Sequence, residues 1–487
     1  MKKAMKLTLF AVSCLSAFAA DLVPVPKVTP VPVTADSRPF LASAQTLHPD
    51  DLAKEGYVEE EFILSGMANV YDWAPDGTLT VKTADAPYTD RILVRRPANA
   101  AKFSGTVVVE LMNPARRFDW PMMWSYAHDY FVERGDAWVG ITMPGSVEGL
   151  QKFNPTRYAS LSFANPAPNA PCTVAPKGGP SASEEGLRWD MMSQVAAALK
   201  SAIPGMKAER VFMTTQIGDA VTYVNAVHPH AKLANGKPAY DGYMIKNPAN
   251  AGKINQCAAA PAKGEARQTL EPVNVPEIAV VAQGELLGSI ASRRPDSDDP
   301  NGRYRRYEIA SAAHIEKFAY GGFPVFADQI AAVGSAQGTP AWPFNVTCTP
   351  EITLSDNPLL KYSYDAAFEN LDQWVRKGTP PPHAELIQVK DGAIVADEFG
   401  NGTGGVRSPF VEVPIATYFT NSTGPGTCAE LGHSTRFDAA KMKMLYGDQK
   451  TYANKVSQSV DKMVKGRFLT ESDGKKLKAE LTAEWPQ

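Results

Sequence analysis

The chain carries hydroxyl, carboxylate and imidazole side chains in an order that suits acyl-transfer chemistry. Thr214 and Thr215 come first, Glu285 follows, and His314 comes last. Acyl-transfer hydrolysis needs a nucleophile, a histidine base to take its proton, a carboxylate to orient that histidine, and donors for the oxyanion. The order nucleophile, acid, histidine is one of the known chain orders of such triads. The sequence therefore predicts a hydrolytic site built from these residues.

The predicted nucleophile lies in residues 209–228, where a strand passes into a helix. A short apolar run is followed, after about three residues, by apolar residues at helical spacing. Thr214, Thr215 and Gln216 occupy that interval. A nucleophile held in such a turn has the backbone N–H of the next residue directed at the developing oxyanion. We therefore expect Gln216 to supply one oxyanion donor and Asn113, in the loop after the first buried strand, to supply the second.

The hydroxyl at this position departs from the usual pattern. No G-x-S-x-G occurs in the 487 residues, so threonine stands where serine is expected. A β-branched residue held at positive φ costs about 1 to 3 kcal/mol. The threonine methyl group also crowds an approaching acyl carbon. Either the turn is relaxed and the hydroxyl still reacts, or the site has become a binding pocket.

The acid and the base of this site have alternatives in the sequence. His314 follows a predicted strand in a loop of small residues, and it is one of only seven histidines. Its alternative role is to cap that loop without taking part in chemistry. Glu285 ends another predicted strand, but Asp296, Asp298 and Asp299 follow it in RRPDSDDPNG and could supply the carboxylate instead.

The elements that would position these residues alternate between strands and helices. Two predicted strands, GTVVVELMN and DAWVGITMPG, flank the helical pattern PMMWSYAHDYFVERG. Three later predicted strands each end in polar residues: YDGYMIKNP, PEIAVVAQGE and RYRRYEIASAAH. This alternation predicts a doubly wound, mostly parallel α/β sheet with the site at its carboxyl ends. Residues 57–96 read as antiparallel strands at one edge, and residues 438–484 as a charged helical tail.

The sequence predicts a leader, a strap and one domain that contains insertions. Residues 1–19 combine a basic start, a short apolar run and an A-x-A series, as in a secretory signal peptide. Residues 20–45 are rich in proline, which predicts an extended, poorly packed strap with no regular element. Residues 46–487 are predicted to form a single domain, with cap-like insertions at about 146–181 and 316–362. The stretch 146–181 reads as loop.

The cysteines fit an exported protein. After removal of the signal peptide, Cys172, Cys257, Cys348 and Cys428 remain, an even number for which three pairings exist. Proximity in sequence favours Cys172 with Cys257 and Cys348 with Cys428, and free buried thiols are the alternative. Cys14 raises a lipid-anchored alternative, although the residues before it lack the usual leucine. We expect a periplasmic or secreted location.

Composition narrows the set of partners. The formal net charge of −3 and a pI near 6.2, without any block of lysine and arginine, exclude a nucleic-acid footprint. No segment after the leader is long and apolar enough to span a membrane. No C-x-x-C and no zinc-like spacing is present, so we expect neither a metal nor a cofactor. A small-molecule ester or acid is the expected partner, and the sequence does not indicate an oligomeric state.

Several motifs carry a family resemblance: VVVELMNP, WDMMSQVAAAL, TYVNAVHP, RRPDSDDPNGRYRRYEIASAAH, LDQWVRKGTPPP and GNGTGGVRSPFVEVPIATY. Over roughly residues 50–485 the chain resembles the α/β-hydrolase-domain family of secreted, poorly characterised esterase-like proteins. The resemblance implies an α/β-hydrolase fold, with MTTQIG where members have a G-x-S-Q-S-like elbow. Matching the glutamine puts Thr215 at the nucleophile, whereas matching backward from TYVN puts Thr214 there. Thr215 is preferred because Gln216 then supplies the oxyanion amide, and His314 and Glu285 fit the family's histidine and acid.

These observations give two functional hypotheses. The first is an exported hydrolase that acts on carboxylic esters through a covalent acyl-enzyme, with threonine in place of serine. The second is a catalytically degenerate α/β-hydrolase fold that binds a small ester, acid or polymer fragment. The histidine and the acid at the expected strand ends favour the first hypothesis.

Overall fold

A large mixed sheet organises the fold. The structure, a computed structural model, describes residues 22–170, 172, 182–216, 218–262, 264–338, 346–349 and 359–486. Within these residues the sheet contains nine strands: β1 (Lys27–Pro30), β2 (Tyr57–Trp73), β3 (Leu79–Pro97), β4 (Thr106–Leu111), β5 (Ala137–Ile141), β6 (Arg210–Thr215), β7 (Gly242–Lys246), β8 (Glu277–Ala282) and β9 (Tyr304–Ile309). Two small antiparallel pairs lie outside it: β10 (Val389–Lys390) with β11 (Ala393–Ile394), and β12 (Ala416–Phe419) with β13 (His433–Arg436).

The strand order matches the predicted doubly wound architecture. The order is β1-β2-β3-β5-β4-β6-β7-β8-β9, antiparallel from β1 to β5 and parallel from β5 to β9. The predicted antiparallel edge is confirmed as β2 and β3, and β3 continues through Pro87. Pro87 pairs with Met67 on one side, and β3 pairs with β5 only over residues 92–95. The missing proline N–H is tolerated because β3 is not paired with β5 at that point.

Helices cover both faces of the sheet. The described helices are α1 (Met122–Arg134), α2 (Val147–Phe153), α3 (Arg188–Ser201), α4 (Asp219–Thr222), α5 (Gln283–Ser289), α6 (Phe326–Val333), α7 (Lys361–Lys377), α8 (Pro409–Glu412), α9 (Ala439–Tyr446), α10 (Gln449–Lys465) and α11 (Glu471–Ala483). Val107 and Val109 of β4 pack in the core on the α3 side, and Val108 packs in the core that contains α1 and α7. This alternation explains the continuous apolar run of β4, because both of its faces are buried.

The predicted strap and the first predicted insertion differ in part from expectation. The proline-rich strap forms the short strand β1, which pairs with β2, and Phe40 and Leu41 at its end are fully buried. Residues 147–153 form α2, where a loop was expected, because a single seven-residue helix is too short to show a clear period. The predicted signal peptide, residues 1–19, lies outside the described residues, as do parts of both predicted insertions.

Two disulfides join distant parts of the chain. Cys172 bonds to Cys257 and Cys348 bonds to Cys428, which confirms the pairing predicted from sequence proximity. Among the described helices, none is long and apolar enough to cross a membrane. The three helices α9, α10 and α11 confirm the predicted helical extension at the C-terminal end.

Candidate active site

The two threonines predicted as nucleophiles are the last residues of β6. The sequence placed Thr214 and Thr215 in the turn after the strand, and this was wrong because the pairing of β6 with β7 continues through Thr215. The turn begins at Gln216 and leads through Gly218 into α4. Ile217 lies outside the described residues. Thr214, Thr215 and Gln216 all have negative φ, so the strain expected of a β-branched nucleophile does not arise at these positions.

The two threonine hydroxyls lie on opposite faces of the sheet, since successive side chains of a strand alternate. Thr215 lies on the face covered by α3, and its Oγ1 donates to the backbone oxygen of Leu111 at 3.3 Å. Thr214 stands beside Met244 of β7 on the other face, and its Oγ1 has no hydrogen-bond partner among the described residues. Both threonines are fully buried, and neither hydroxyl forms a hydrogen bond with His314.

A lysine, a glutamate and a histidine meet at the carboxyl ends of β7, β8 and β9. Lys246 ends β7, and its Nζ donates to Oε1 of Glu285 at 2.6 Å. The same Nζ lies 3.1 Å from Nδ1 of His314. His314 Nδ1 also contacts Glu285 Oε1, so one carboxylate oxygen serves both neighbours. The side chain of Lys246 is 0% exposed and that of Glu285 4%, whereas that of His314 is 24% exposed.

Glu285 is held by the start of a helix. The sequence placed it at the end of a strand, and this was wrong: β8 ends at Ala282 and Glu285 lies in the first turn of α5. Its Oε2 accepts from the backbone N–H of Ala282 at 3.2 Å, as a capping carboxylate does. This bond fixes one oxygen and leaves Oε1 directed at Lys246 and His314. His314 itself lies in the loop after β9.

Burial and charge move the pKa values of the two glutamates near Lys246 in opposite directions. Burial alone would raise the pKa of Glu285, but the charge of Lys246 and the contact with His314 lower it to about 2. Burial raises the pKa of Glu316 to about 8, although the backbone N–H of Leu360 donates to both of its oxygens. At neutral pH Glu285 is therefore ionised, whereas burial favours the protonated form of Glu316.

The aspartates that were alternative acids bind elsewhere. Asp296 accepts from the backbone N–H of Arg306 and pairs with His383. Asp298 pairs with Arg305, and Asp299 accepts from the backbone N–H of Asn301. None of these contacts reaches His314, whose carboxylate contact in the described part of the chain is with Glu285.

The two predicted oxyanion donors are placed differently. The backbone N–H of Asn113 donates to the carbonyl of Trp120 at 3.0 Å, and Asn113 Oδ1 accepts from Ala115 N at 2.8 Å. The backbone donor expected from Asn113 is therefore used inside its own loop, which leaves the side-chain Nδ2. Gln216 follows β6 directly, and its Oε1 is buried without a hydrogen-bond partner among the described residues.

A groove of about 680 Å³ opens beside Glu285 and His314. Its described lining comes from the loop after β7, a stretch before β8, the α5 region and two loops near His314: Asn247, Ala249, Asn250, Ala260, Pro261, Gly264, Glu265, Ala266, Gln268, Thr269, Gly284, Glu285, Gly288, Ser289, Ala291, Ser292, His314, Ala429 and Glu430. These lining residues include no phenylalanine, tyrosine, tryptophan, leucine, isoleucine, valine or methionine, and no lysine or arginine. In the described part of the chain, no three histidine, cysteine or carboxylate side chains are grouped as a metal ion would require. The groove therefore offers small and polar contacts next to an acid and a base.

Comparison with protein families adds a decisive observation. The model of a family described as "Alpha/beta hydrolase domain" matches residues 27–479. The chain belongs to this alpha/beta hydrolase family. The match covers β1 to most of α11, so the sheet and most of the helical tail lie within the matched region. The chain has no match among the curated proteins.

Several solved structures share parts of this hydrolase fold at low identity. A thermostable esterase from Pseudomonas putida ECU1011 is 13% identical, with 67% of this chain and 85% of that one covered and a TM-score of 0.33. A glucuronoyl esterase from Solibacter usitatus is 11% identical, with 58% and 82% covered and a TM-score of 0.29. One of two Rhizomucor miehei esterases is 12% identical, with 52% and 74% covered and a TM-score of 0.29. Likenesses at this level carry no inference about substrate.

The family's sheet brings in residues that the sequence did not single out. Lys246 ends a strand whose residues are all buried, and a lysine in such a place is the one signal that could have identified it. Asn247 and Asn250, in the loop after β7, both have positive φ. The carbonyl oxygen of Asn250 lies so close to Gly218 that a Cβ there would come within 1.8 Å of it. The loop after β7 is thus fitted against the turn that leads into α4, and it also lines the groove.

Proposed function

We propose that this alpha/beta hydrolase is an exported enzyme that cleaves small carboxylic esters through a covalent acyl-enzyme. His314 acts as the base, Glu285 orients it, and a threonine at the end of β6 supplies the nucleophile. The observation that carries the proposal is the contact of His314 Nδ1 with an ionised Glu285 at the edge of a groove. A carboxylate on Nδ1 fixes the tautomer that leaves Nε2 as the proton acceptor. His314 Nε2 makes no hydrogen bond to a described residue and is free for that role.

The choice between the two threonines depends on the face of the sheet. Thr214 stands beside Met244, and two residues further along β7 the side chain of Lys246 leaves from that same face to contact His314. Thr215 lies on the opposite face, with its hydroxyl bonded to Leu111. The geometry therefore supports Thr214 as the nucleophile, whereas the family's glutamine position supports Thr215.

The groove supports a short, polar ester as the substrate. Binding a long acyl chain depends on burying apolar surface against large apolar side chains. The apolar side chains of the described lining are alanines and one proline, which are small. The described lining carries the carboxylates of Glu265, Glu285 and Glu430, so an anionic substrate group is disfavoured. A neutral ester with a small acyl group fits these contacts best.

Export is supported by two independent features. Structural disulfides persist in oxidising compartments, and this chain forms two of them. The first 19 residues have the pattern of a secretory signal peptide. We therefore assign the hydrolase to the periplasm or the extracellular space.

The second candidate function is binding without turnover. Thr214 and Thr215 are fully buried and neither hydroxyl bonds to His314, so the link between nucleophile and base that a working triad needs is absent in this state. A fold that retains the pocket but has lost this link would bind a small ester, acid or polymer fragment.

A fluorophosphonate probe separates the two candidates. The reagent is incubated with the parent protein and with a His314→Gln variant, and the modified residue is mapped by peptide mass spectrometry. Covalent modification of Thr214 or Thr215 that depends on His314 is the expected result and identifies the nucleophile. Absence of labelling, together with no hydrolysis of acetate and butyrate esters, would exclude the acyl-enzyme and leave the binding function.

A further inference from the structure

Lys246 contacts both members of the acid–base pair, and the proposed mechanism gives it no task. Its side chain is fully buried, and its Nζ lies 2.6 Å from Glu285 Oε1 and 3.1 Å from His314 Nδ1. We propose that Lys246 is a positioning residue that sets the charge balance of the base. It holds Glu285 ionised and in place, and it opposes the uptake of a second ring proton by His314. The inference rests on the proposed role of His314 as the base.

The charge balance follows from three neighbouring groups. In a histidine–carboxylate pair that stands alone, the carboxylate stabilises the imidazolium formed when the histidine takes a proton. Here the carboxylate of Glu285 is already neutralised by the ammonium of Lys246. Like charges at this separation disfavour each other's charged forms. An imidazolium at His314 would therefore face an ammonium group 3.1 Å from its Nδ1.

Proton positions at the shared oxygen lead to the same conclusion. When Nδ1 of His314 carries the ring proton, both Lys246 and Nδ1 donate to Glu285 Oε1, and Nε2 keeps its lone pair. The neutral ring satisfies all three groups. A further proton on Nε2 adds a positive charge without adding a partner, because Nε2 makes no hydrogen bond to a described residue. The ammonium of Lys246 therefore opposes the transfer of a nucleophile's proton to Nε2.

Other charged groups near His314 do not replace this effect. Glu316 follows two residues later in the same loop, and burial raises its pKa to about 8, which favours its neutral form. Glu430 lines the groove with His314 and is exposed to solvent, which screens its charge. Among the described residues, Lys246 from β7 and Glu285 from α5 are the charged groups in direct contact with the ring.

The test follows the titration of His314 by NMR, using the Cε1–H signal of labelled histidine and a His314→Gln variant to assign it. Lys246→Met and Lys246→Gln remove the charge, and the glutamine keeps a donor for Glu285. Lys246→Arg keeps the charge and is the matched control. We expect both neutral variants to raise the midpoint of the His314 titration by about one pH unit or more, and the arginine variant to leave it near that of the parent.

Each other outcome contradicts the role of Lys246. An unchanged or lowered midpoint in the neutral variants would overturn it, and so would an arginine variant that behaves like methionine. If both neutral variants fail to fold while the arginine variant folds, Lys246 serves stability alone. The titration needs no turnover, so a shift in a protein that cleaves no ester would uphold this inference and contradict only the hydrolase proposal.

Discussion

The carboxyl end of β6 and the carboxyl ends of β7, β8 and β9 hold different kinds of polar group. At β6, Thr214 and Thr215 offer neutral hydroxyls that are fully buried. At the neighbouring ends, Lys246, Glu285 and His314 form a charged cluster, and the histidine is 24% exposed beside a groove. The titratable groups of the candidate site are thus concentrated at the ends of β7 to β9, and the hydroxyls at the end of β6 make no hydrogen bond to His314.

This difference defines what a working hydrolase would still require. In an active triad the nucleophile and the base share a hydrogen bond, or come within reach of one when substrate binds. The pair Glu285 and His314 already has the contact that orients a base, whereas Thr214 would have to turn its hydroxyl toward the ring. The two functional candidates therefore differ in one step at β6 and agree about β7 to β9.

The largest expected effect comes from removing the base. His314→Ala should lower kcat/KM for a short acyl ester by roughly 100-fold to 10,000-fold, the usual contribution of a general base. His383→Ala is the matched control, because His383 is 64% exposed, pairs with Asp296 and lies outside the described lining of the groove. Steady-state hydrolysis of an acetate ester measures both. Equal activity of the two variants would show that His314 is not the base and that the reaction does not take place at the ends of β7 to β9.

A smaller effect, on the order of 3 kcal/mol in the free energy of unfolding, is expected from each of the two glutamates near Lys246, and in opposite pH ranges. The pKa of Glu285 is lowered to about 2, so its contribution to stability is present above about pH 4.5 and is lost as the pH falls toward 2. The pKa of Glu316 is raised to about 8, so its contribution is present below about pH 4.5 and is lost as the pH rises through 8. Urea unfolding of the parent, Glu285→Gln and Glu316→Gln between pH 3 and 8 measures both.

The two variants should diverge from the parent in opposite pH ranges. The advantage of the parent over Glu285→Gln should shrink in acid, and the parent should lose stability relative to Glu316→Gln as the pH rises from 4.5 to 8. Parallel curves for all three proteins would mean that the charges at β7 to β9 are not tuned by burial. The contrast between the charged cluster at the ends of β7 to β9 and the neutral hydroxyls at the end of β6 would then have no consequence for stability.

The fold was predictable because its strands carry strong patterns. Buried parallel strands such as β4 and β7 read as continuous apolar runs with turn signals after them, and the helical tail has clear periodicity. The same logic, that polar residues follow strand ends, brought Glu285 and His314 into consideration together. α2 was not predicted, because seven residues cover about two helical turns and give the period little room to show.

The rest of the site depends on contacts that no local pattern contains. Lys246 meets partners 39 and 68 residues further along the chain, and although its place in an apolar strand was a signal, no local pattern names these partners. The position of Thr215 depends on how far β6 remains paired with β7, and threonine suits a strand well. The extent of pairing between β6 and β7, which neither strand's own sequence shows, therefore decided which residues lie in the turn.

The smallest expected effect distinguishes the two hydroxyls of β6 by the sign of a stability change. Thr215→Val removes the hydrogen bond to Leu111 and should lower the free energy of unfolding by about 1 kcal/mol. Thr214→Val removes a buried hydroxyl without a described partner and should leave stability unchanged or raise it by about 1 kcal/mol. Urea unfolding at one pH measures both, and valine conserves the shape of the side chain in each case. Equal losses in the two variants would show that the Thr214 hydroxyl has a partner in the folded protein.

Activity measured on the same two variants gives this stability difference its functional meaning. A buried hydroxyl without a partner costs stability, and such groups persist where function requires them. If Thr214→Val is at least as stable as the parent and no longer hydrolyses esters, the unpaired hydroxyl is retained for catalysis. If Thr214→Val keeps full activity while Thr215→Val loses more than its small destabilisation explains, the nucleophile is Thr215, and its bond to Leu111 must break before it reacts.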